Sequence, residues 1–263
     1  MNDALIKDLT AAEEEYAQSP ISIRELCQKY PVQRQTLTGW LLAKGYNIEN
    51  KRAMKSFNIH YFDEIDTEEK AYWLGFLFAD GSVTRYKNSY DIELSLKIED
   101  KGHVEKFANA LGKEYVNNNS TYRSRCIVGS KHMFNVLCSY GCTPRKSLTL
   151  KFPDMPIFKN ESLIRHFIRG YVDGDGCLSF ANKEHTKACV SILGTEDFLN
   201  GIQKVYKSSK NYSLNNKNNE ITKVLGFYGK QGYEFAKFLY EDSTIYLDRK
   251  YEKYKQYCRL YQE

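Results

Sequence analysis

Residues 72–83 read YWLGFLFADGSV and residues 168–180 read IRGYVDGDGCLSF. Gly75, Asp80 and Gly81 in the first stretch match Gly170, Asp175 and Gly176 in the second, each at an offset of 95. The match continues downstream in unchanged order: LSLKIED at 94–100 with VSILGTED at 190–197, GSKHMFNVL at 129–137 with GKQGYEFAKFL at 229–239, and Pro144-Arg145-Lys146 with Asp248-Arg249-Lys250. An internal repeat restricts the fold more than a local pattern does, because both copies must adopt one supersecondary unit and can bury equivalent faces against each other. Two units, about 71–152 and 164–258, related by a pseudo-twofold axis, are therefore expected.

Each unit reads as helix, two strands, helix, two strands, helix. In the first, Thr67 is placed to cap a helix that carries Glu68 and Glu69 in its first turn and runs to about Asp80, where Gly81 stops it. Alternation over 90–98 predicts a half-buried strand, and 101–112 an amphipathic helix ending on Gly112. A second hairpin is expected over 113–128 around Asn117-Asn118-Asn119, followed by a helix over 130–140. The second unit repeats this, with an Asn-rich turn at 215–219 and a last helix near 248–261.

Ahead of the repeat, residues 22–46 predict a helix-turn-helix: Ser22 caps one helix, Tyr30-Pro31-Val32 breaks it, and 34–44 form the second. In that motif the second helix enters the major groove, which puts Gln33, Arg34, Gln35 and Thr38 against DNA, with Lys51 and Arg52 behind them for phosphates. The expected domains are 1–56 (helix-turn-helix), 57–67 (linker), 68–158 and 159–263 (the two units). The fold class is α+β: two pseudo-twofold related αββαββα units with antiparallel sheets, plus a small all-α N-terminal domain.

Composition excludes several classes. An apolar content of 42% with 27% charged residues is that of a globular chain, and no apolar run is long enough to span a bilayer. The N-terminus lacks a signal peptide's basic and greasy regions, so a cytoplasmic or organellar protein is expected and a secreted one is not. Seven Cys without a C-x-x-C pair indicate neither a disulfide framework nor a zinc ribbon. The five His residues form no pair with metal-ligand spacing, and His103 and His132 are expected on helix surfaces. The charge is uneven: residues 1–20 hold one base against five acids, residues 21–56 seven against two, and residues 71–263 twenty-nine against twenty-one. Two basic segments beside 21 Tyr suit a nucleic-acid partner.

The paired motifs carry the chemistry. Gly75 and Ala79 are four apart, as are Gly170 and Gly174, so each helix presents a strip of small residues on which two backbones can close. The remaining apolar positions of both helices can then bury into their own units, which explains a helix greasy on every side. If the helices pack about a twofold, Asp80 and Asp175 meet at two helix C-termini. Like charge and helix dipoles both disfavour ionised carboxylates there, and a hard divalent cation, Mg2+ or Mn2+, would offset them and bind phosphate oxygens.

YWLGFLFADG and IRGYVDGDG resemble the paired motifs of the LAGLIDADG homing endonucleases in their single-chain, two-motif form, with an N-terminal helix-turn-helix added here. The resemblance covers roughly 68–258. It implies central motif helices, four-stranded antiparallel saddle-shaped sheets over the DNA major groove, and catalytic metal-binding acids at Asp80 and Asp175. It also implies catalytic basic residues near the scissile phosphates, at Lys146 and Lys250. Asp100 and Glu196 fall near positions where the family keeps a polar residue in the network of water and metal. The first motif departs from the family in having Phe78 where an acid is common; the second keeps Asp173.

The expected activity is site-specific double-strand cleavage of DNA by metal-dependent phosphodiester hydrolysis, as in intron homing, by a monomer because both motifs share one chain. Readout is expected from Tyr86, Lys87, Asn88 and Lys97 on the first sheet, and from Lys183, Lys187 and Lys217 on the second. A transcription regulator with an inactive core and an RNA intron maturase are the alternatives.

Overall fold

The computed structural model describes residues 3–18, 21–46, 57–114, 121–206, 215–217 and 219–261, with side chains of the last two segments from 222 onward. The chain divides into two compact units, Met1–Phe57 and Asn58–Glu263.

The first unit packs α1 (Asp3–Gln18), α2 (Ile23–Lys29) and α3 (Arg34–Ala43) around Leu9, Ala12, Tyr16, Leu26, Val32, Leu37 and Leu41. Ser22 and Glu25 form a reciprocal capping box at the start of α2, satisfying two orphan N–H groups of that helix. The acidic segment at the N-terminus is α1, whose buried positions Leu9, Ala12 and Tyr16 recur at helical spacing. Its charge is used internally: Glu15 accepts from Lys29 at 2.7 Å and Tyr30 at 2.8 Å, and Glu13 from the Trp40 indole at 2.6 Å.

The second unit holds the repeat. Its first half runs α4 (Glu68–Ala79), β1 (Gly81–Tyr86), β2 (Ser89–Lys97), α5 (Lys101–Ala110), β3 (Arg123–Gly129) and α6 (Lys131–Ser139). Its second half runs α7 (Ile164–Asp175), β4 (Gly176–Phe180), β5 (Ala188–Thr195), α8 (Glu196–Tyr206), β6 (Asn215–Lys217), β7 (Asn219–Tyr228), α9 (Lys230–Tyr240) and α10 (Asp248–Tyr261). The α+β class and the repeated order are as the duplication requires. Among the described residues the first sheet has three strands, β1-β2-β3, and the second four, β4-β5-β7-β6, all antiparallel. The turn at Asn117–Asn119, on which the first unit's expected second hairpin was centred, lies outside the described residues.

Each sheet buries one face. In β2, Ile92, Leu94 and Leu96 point inward, paired across the ladder with Val83 of β1 and with Val128, Cys126 and Ser124 of β3. Alternation of period two lets β2 cover the helices with one face and present polar residues on the other.

The segment 57–67 is not a linker. Tyr61, Phe62 and Ile65 are buried, Ile65 pairs in parallel with Phe158, and the Asn58 N–H donates to Leu111 O at 2.7 Å. The Tyr140 hydroxyl lies 3.1 Å from Phe62 O and 3.0 Å from Asp63 O. A buried apolar pair inside HYFD makes these residues a strap of the core. His103, expected on a helix surface, is buried at 3% exposure and lies 2.9 Å from the Tyr72 hydroxyl.

The centre is α4 against α7. Residues 71–78 of α4 are all buried, and a buried Leu or Phe side chain contributes about 2 kcal/mol over an exposed one, so this helix owes its stability to its surroundings. A Cβ on Gly75 would lie 1.9 Å from Phe167 O, one on Gly170 2.0 Å from Tyr72 O, and one on Gly174 2.3 Å from the Ala79 Cβ. Gly75 and Gly170 thus play the same part on opposite helices, while Ala79 and Gly174 meet at the lower end of the crossing.

Candidate active site

Both motif helices turn straight into a strand, and this turn positions the carboxylates. Asp80 is the C-cap of α4, its N–H donating to Phe76 O at 2.9 Å. Asp175 closes α7, with Gly176 as cap. A Cβ at Gly81 would stand 2.6 Å from Leu77 O, and one at Gly176 2.5 Å from Val172 O. The strand can leave this tightly only without a side chain there, so each Asp-Gly pair holds its acid at the helix end.

Asp80 and Asp175 line one cavity of about 500 Å³ together with Ser82, Thr143, Arg145 and Lys146. Both side chains reach solvent at its mouth while helix ends and sheets crowd them. Burial, then the charge of Asp80, pushes Asp175 up to about 6, against the pull of Lys146 and Lys250. Asp80 is raised too, by burial, with Lys250, Lys146, Arg249 and Arg123 opposing. Two oxygen donors under mutual repulsion, in a setting that disfavours their charge, are the donor set a hard divalent cation fits.

Lys146 and Lys250, expected beside the scissile phosphates, are docked on the motif helices. Lys250 is 3% exposed and its ammonium donates to Val172 O and Asp173 O at 2.7 Å and Gly176 O at 2.6 Å, with Gly174 O at 3.4 Å. Lys146, at 6% exposure, donates to Gly81 O. Lys250 therefore caps the carbonyl end of α7 and complements its dipole, Lys146 binds the first carbonyl of β1 just past α4, and both face the acid pair with positive charge. Burial pushes Lys250 down to about 8. Removing its charge leaves those carbonyls and Asp173 without their counterpart, so Lys250→Met should lower stability by about 3 kcal/mol. Urea denaturation checks this, with Arg259→Met at an exposed position of α10 as the neutral comparison.

Asp173 does not join the acid pair. It is 1% exposed and accepts from Tyr72 at 2.7 Å, Tyr240 at 2.6 Å and the Leu247 N–H at 2.8 Å. Beside it, Arg169, with no exposure, donates to Leu239 O and Ile245 O at 2.9 Å and to Glu68 at 2.7 Å. Tyr72 and Glu68 belong to α4, so these bonds cross the pseudo-twofold and specify how the two halves dock. The first motif has no counterpart: Phe78 packs edge-on to Phe167 with ring centroids 5.1 Å apart.

Asp100 is engaged by Arg249, whose Nε donates at 3.2 and 3.3 Å; it orients the neighbour of Lys250 and does not line the cavity. Glu196 opens α8 and is exposed. Neither Asp100 nor Glu196 lines the cavity that holds the acid pair.

The open face of the first sheet carries Ser82, Thr84 and Tyr86 on β1, Glu93, Ser95 and Lys97 on β2, and Arg123 and Arg125 on β3. Arg123 and Arg125 were missed from sequence, although the alternation in RSRCIVG, with Ser124, Cys126 and Val128 buried, marks them. Arg125 pairs with Glu93 at 2.8 Å. Tyr86, Lys87 and Asn88 form the exposed tip of the β1–β2 hairpin, with Lys87 at φ 51. Lys183 and Lys187 are exposed in the β4–β5 turn, and Lys217 is on β6, its side chain outside the described residues. In the N-terminal unit Gln33, Arg34 and Gln35 are exposed at the start of α3, with Thr38 half-buried a turn later; Lys51 and Arg52 lie outside the described residues.

No protein-family model matches the chain. Over 211 residues it is 27% identical to the DNA-directed RNA polymerase subunit Rpo1C of Methanocaldococcus jannaschii, covering 77% of this chain and 23% of that protein. Over 161 residues it is 28% identical to the uncharacterized protein MJ0314 of the same organism, covering 59% and 60%. The chain thus spans less than two thirds of either relative. Among solved structures it is similar to the I-LtrWI LAGLIDADG homing endonuclease bound to target DNA (TM-score 0.48, 13% identity, 75% of this chain and 89% of that one). It is also similar to the I-SmaMI LAGLIDADG homing endonuclease bound to cleaved DNA (TM-score 0.49, 11% identity, 74% and 89%). A third is I-SmaMI bound to uncleaved DNA with calcium ions (TM-score 0.45, 12% identity, 72% and 89%).

Proposed function

We propose that this chain is a metal-dependent DNA endonuclease of the LAGLIDADG kind that cuts both strands of a specific duplex site. One observation carries the reading: two helices related by the repeat close on Gly75 and Gly170 and bring Asp80 and Asp175 to one cationic cavity. Asp80 and Asp175 would hold Mg2+ or Mn2+, which when bound supplies positive charge for phosphodiester hydrolysis. Lys146 and Lys250 keep the helix ends rigid and lend positive potential where phosphate must approach. Arg145, Arg123 and Lys97 would hold the backbone, and exposed open-face residues such as Thr84 and Tyr86 would touch base edges, while Gln33, Arg34, Gln35 and Thr38 would lengthen the site read.

Incubating the purified chain with Mg2+ and plasmids carrying DNA that flanks its gene should yield linear product of one defined end, abolished by EDTA. Tight binding without cutting under the same conditions would overturn the enzymatic reading in favour of a regulator.

The acid pair also sets a pH dependence. Asp175 has to be ionised to hold a cation, so cleavage should rise as pH passes about 6 and level off above it. Stability without divalent metal runs the other way. The native carboxyl, raised from 3.8 to about 6, binds more protons than the unfolded one between those values, so stability falls across that window and is level above it. Denaturation in EDTA at pH 4 and pH 7 should show this component in the wild type and not in Asp175→Asn.

A further inference from the structure

Outside the cavity of the acid pair, three side chains of metal-binding type meet where the strap crosses the start of α6. His60 Nδ1 lies 2.6 Å from one oxygen of Asp63, and His132 Nε2 lies 2.6 Å from the other. The two imidazoles are 4.6 Å apart between centroids, and one ligand atom from each of the three residues falls within 4.8 Å of the others.

The cluster is built on a fixed frame. In HYFD, Tyr61 and Phe62 bury while His60 and Asp63 turn outward. The turn is closed by the Asp63 N–H on His60 O at 3.1 Å and by the His60 N–H on the Asn58 side-chain oxygen at 3.0 Å. The Tyr140 hydroxyl, 3.0 Å from Asp63 O, ties the turn to the loop after α6. His132 stands on the first turn of α6, which Ser130 caps. Fixed on two rigid elements, the three groups need little rearrangement to converge.

We propose that His60, Asp63 and His132 form a transition-metal site that takes Zn2+ and binds the strap to α6. Two imidazoles and one carboxylate are a borderline donor set suited to zinc, which binds such ligands at about 2.0–2.2 Å and fills its fourth position with water. Magnesium, with its demand for oxygen donors, is the wrong ion here, so this site and the Asp80–Asp175 pair differ in chemistry. To take the ion, both ring nitrogens exchange a hydrogen bond to Asp63 for a bond to metal, and the ligand atoms draw together around it. The exposed position leaves the entry path open. A link between residues 69 positions apart closes a long loop, and binding to the folded state alone stabilises it.

The test uses the full chain with Asp80→Asn and Asp175→Asn, so that the other carboxylate pair is silenced. Isothermal titration should show one Zn2+ per chain, and a zinc excess of about 100 Kd should raise Tm by roughly 5 °C or more. Co2+ substituted for zinc should show visible absorption of a low-symmetry site. His132→Ala should weaken zinc by about 100-fold or more and erase the Co2+ spectrum, and Tyr140→Phe, which frees the turn without touching a ligand, should weaken it by about 10-fold. Asp63→Asn keeps a side chain of the same shape and guards against a folding defect in the histidine variants. No zinc-dependent rise in Tm, or a zinc affinity equal in wild type, His132→Ala and Asp63→Asn, overturns the site.

Discussion

Asp80→Asn and Asp175→Asn should each reduce double-strand cleavage by a factor of about 1000 or more while leaving duplex affinity within a few-fold of wild type. The substitution keeps size and shape and removes the charge that would hold a cation, so loss in the cleavage rate, not in binding, is the signature. The two variants should also behave alike, because the repeat places both acids at equivalent helix ends beside one cavity. Asp175→Asn should in addition stabilise the metal-free protein near neutral pH, since an amide escapes both the burial and the Asp80 charge that hold the native carboxyl near 6. Cleavage assays beside gel-shift titrations on the same target distinguish the outcomes. A variant that still cuts at wild-type rate would remove the assigned acids.

Gly75→Ala or Gly170→Ala should cost about 3 kcal/mol of stability, the upper end for inserting one methyl into a packed core. Ordinarily Ala is favoured over Gly inside a helix by roughly 0.5–1 kcal/mol, so the sign itself is informative. Here the added methyl would stand 1.9 or 2.0 Å from a backbone carbonyl oxygen of the facing helix, and a carbonyl cannot rotate aside as a side chain can. The helices must separate, and Asp80 and Asp175 separate with them, so cleavage falls as well. Gly102→Ala in α5 has nothing within 4 Å of the added atom and should be neutral or mildly stabilising. Denaturant midpoints of the three variants, compared at equal m-value, test the claim.

Much of this was legible from residues. The duplication showed two like units, the small-residue strips showed how they close, and the Asp-Gly pairs showed where the acids stand. These features follow from covalent geometry and local pattern: a glycine where no Cβ fits, period two in the strands, a Thr or Ser where a helix needs a cap. The roles of Lys146 and Lys250 were only half legible. Their positions in the repeat implied nearness to the acids, but whether an ammonium points at phosphate or folds onto Gly81 O or Gly176 O depends on which carbonyls the fold leaves unpaired. The strap failed for a simpler reason: a short segment whose apolar residues follow no helical or strand period reveals its burial only when a partner such as Phe158 or Leu111 is beside it.

The sequence by itself determined the duplicated α+β plan, the helix crossing and the acid pair, because each is written in residues that local sterics or the repeat make obligatory. The tertiary structure alone decided the rest. It set Asp173 and Arg169 as fully buried bonds between the halves and folded two lysines onto carbonyls at the ends of the motif helices and the strands that follow. It also gathered His60, Asp63 and His132 from segments that no spacing rule connects. The physical reason is the same in each case: a polar side chain takes its role from the partner that satisfies it, and partners distant in sequence are chosen by packing.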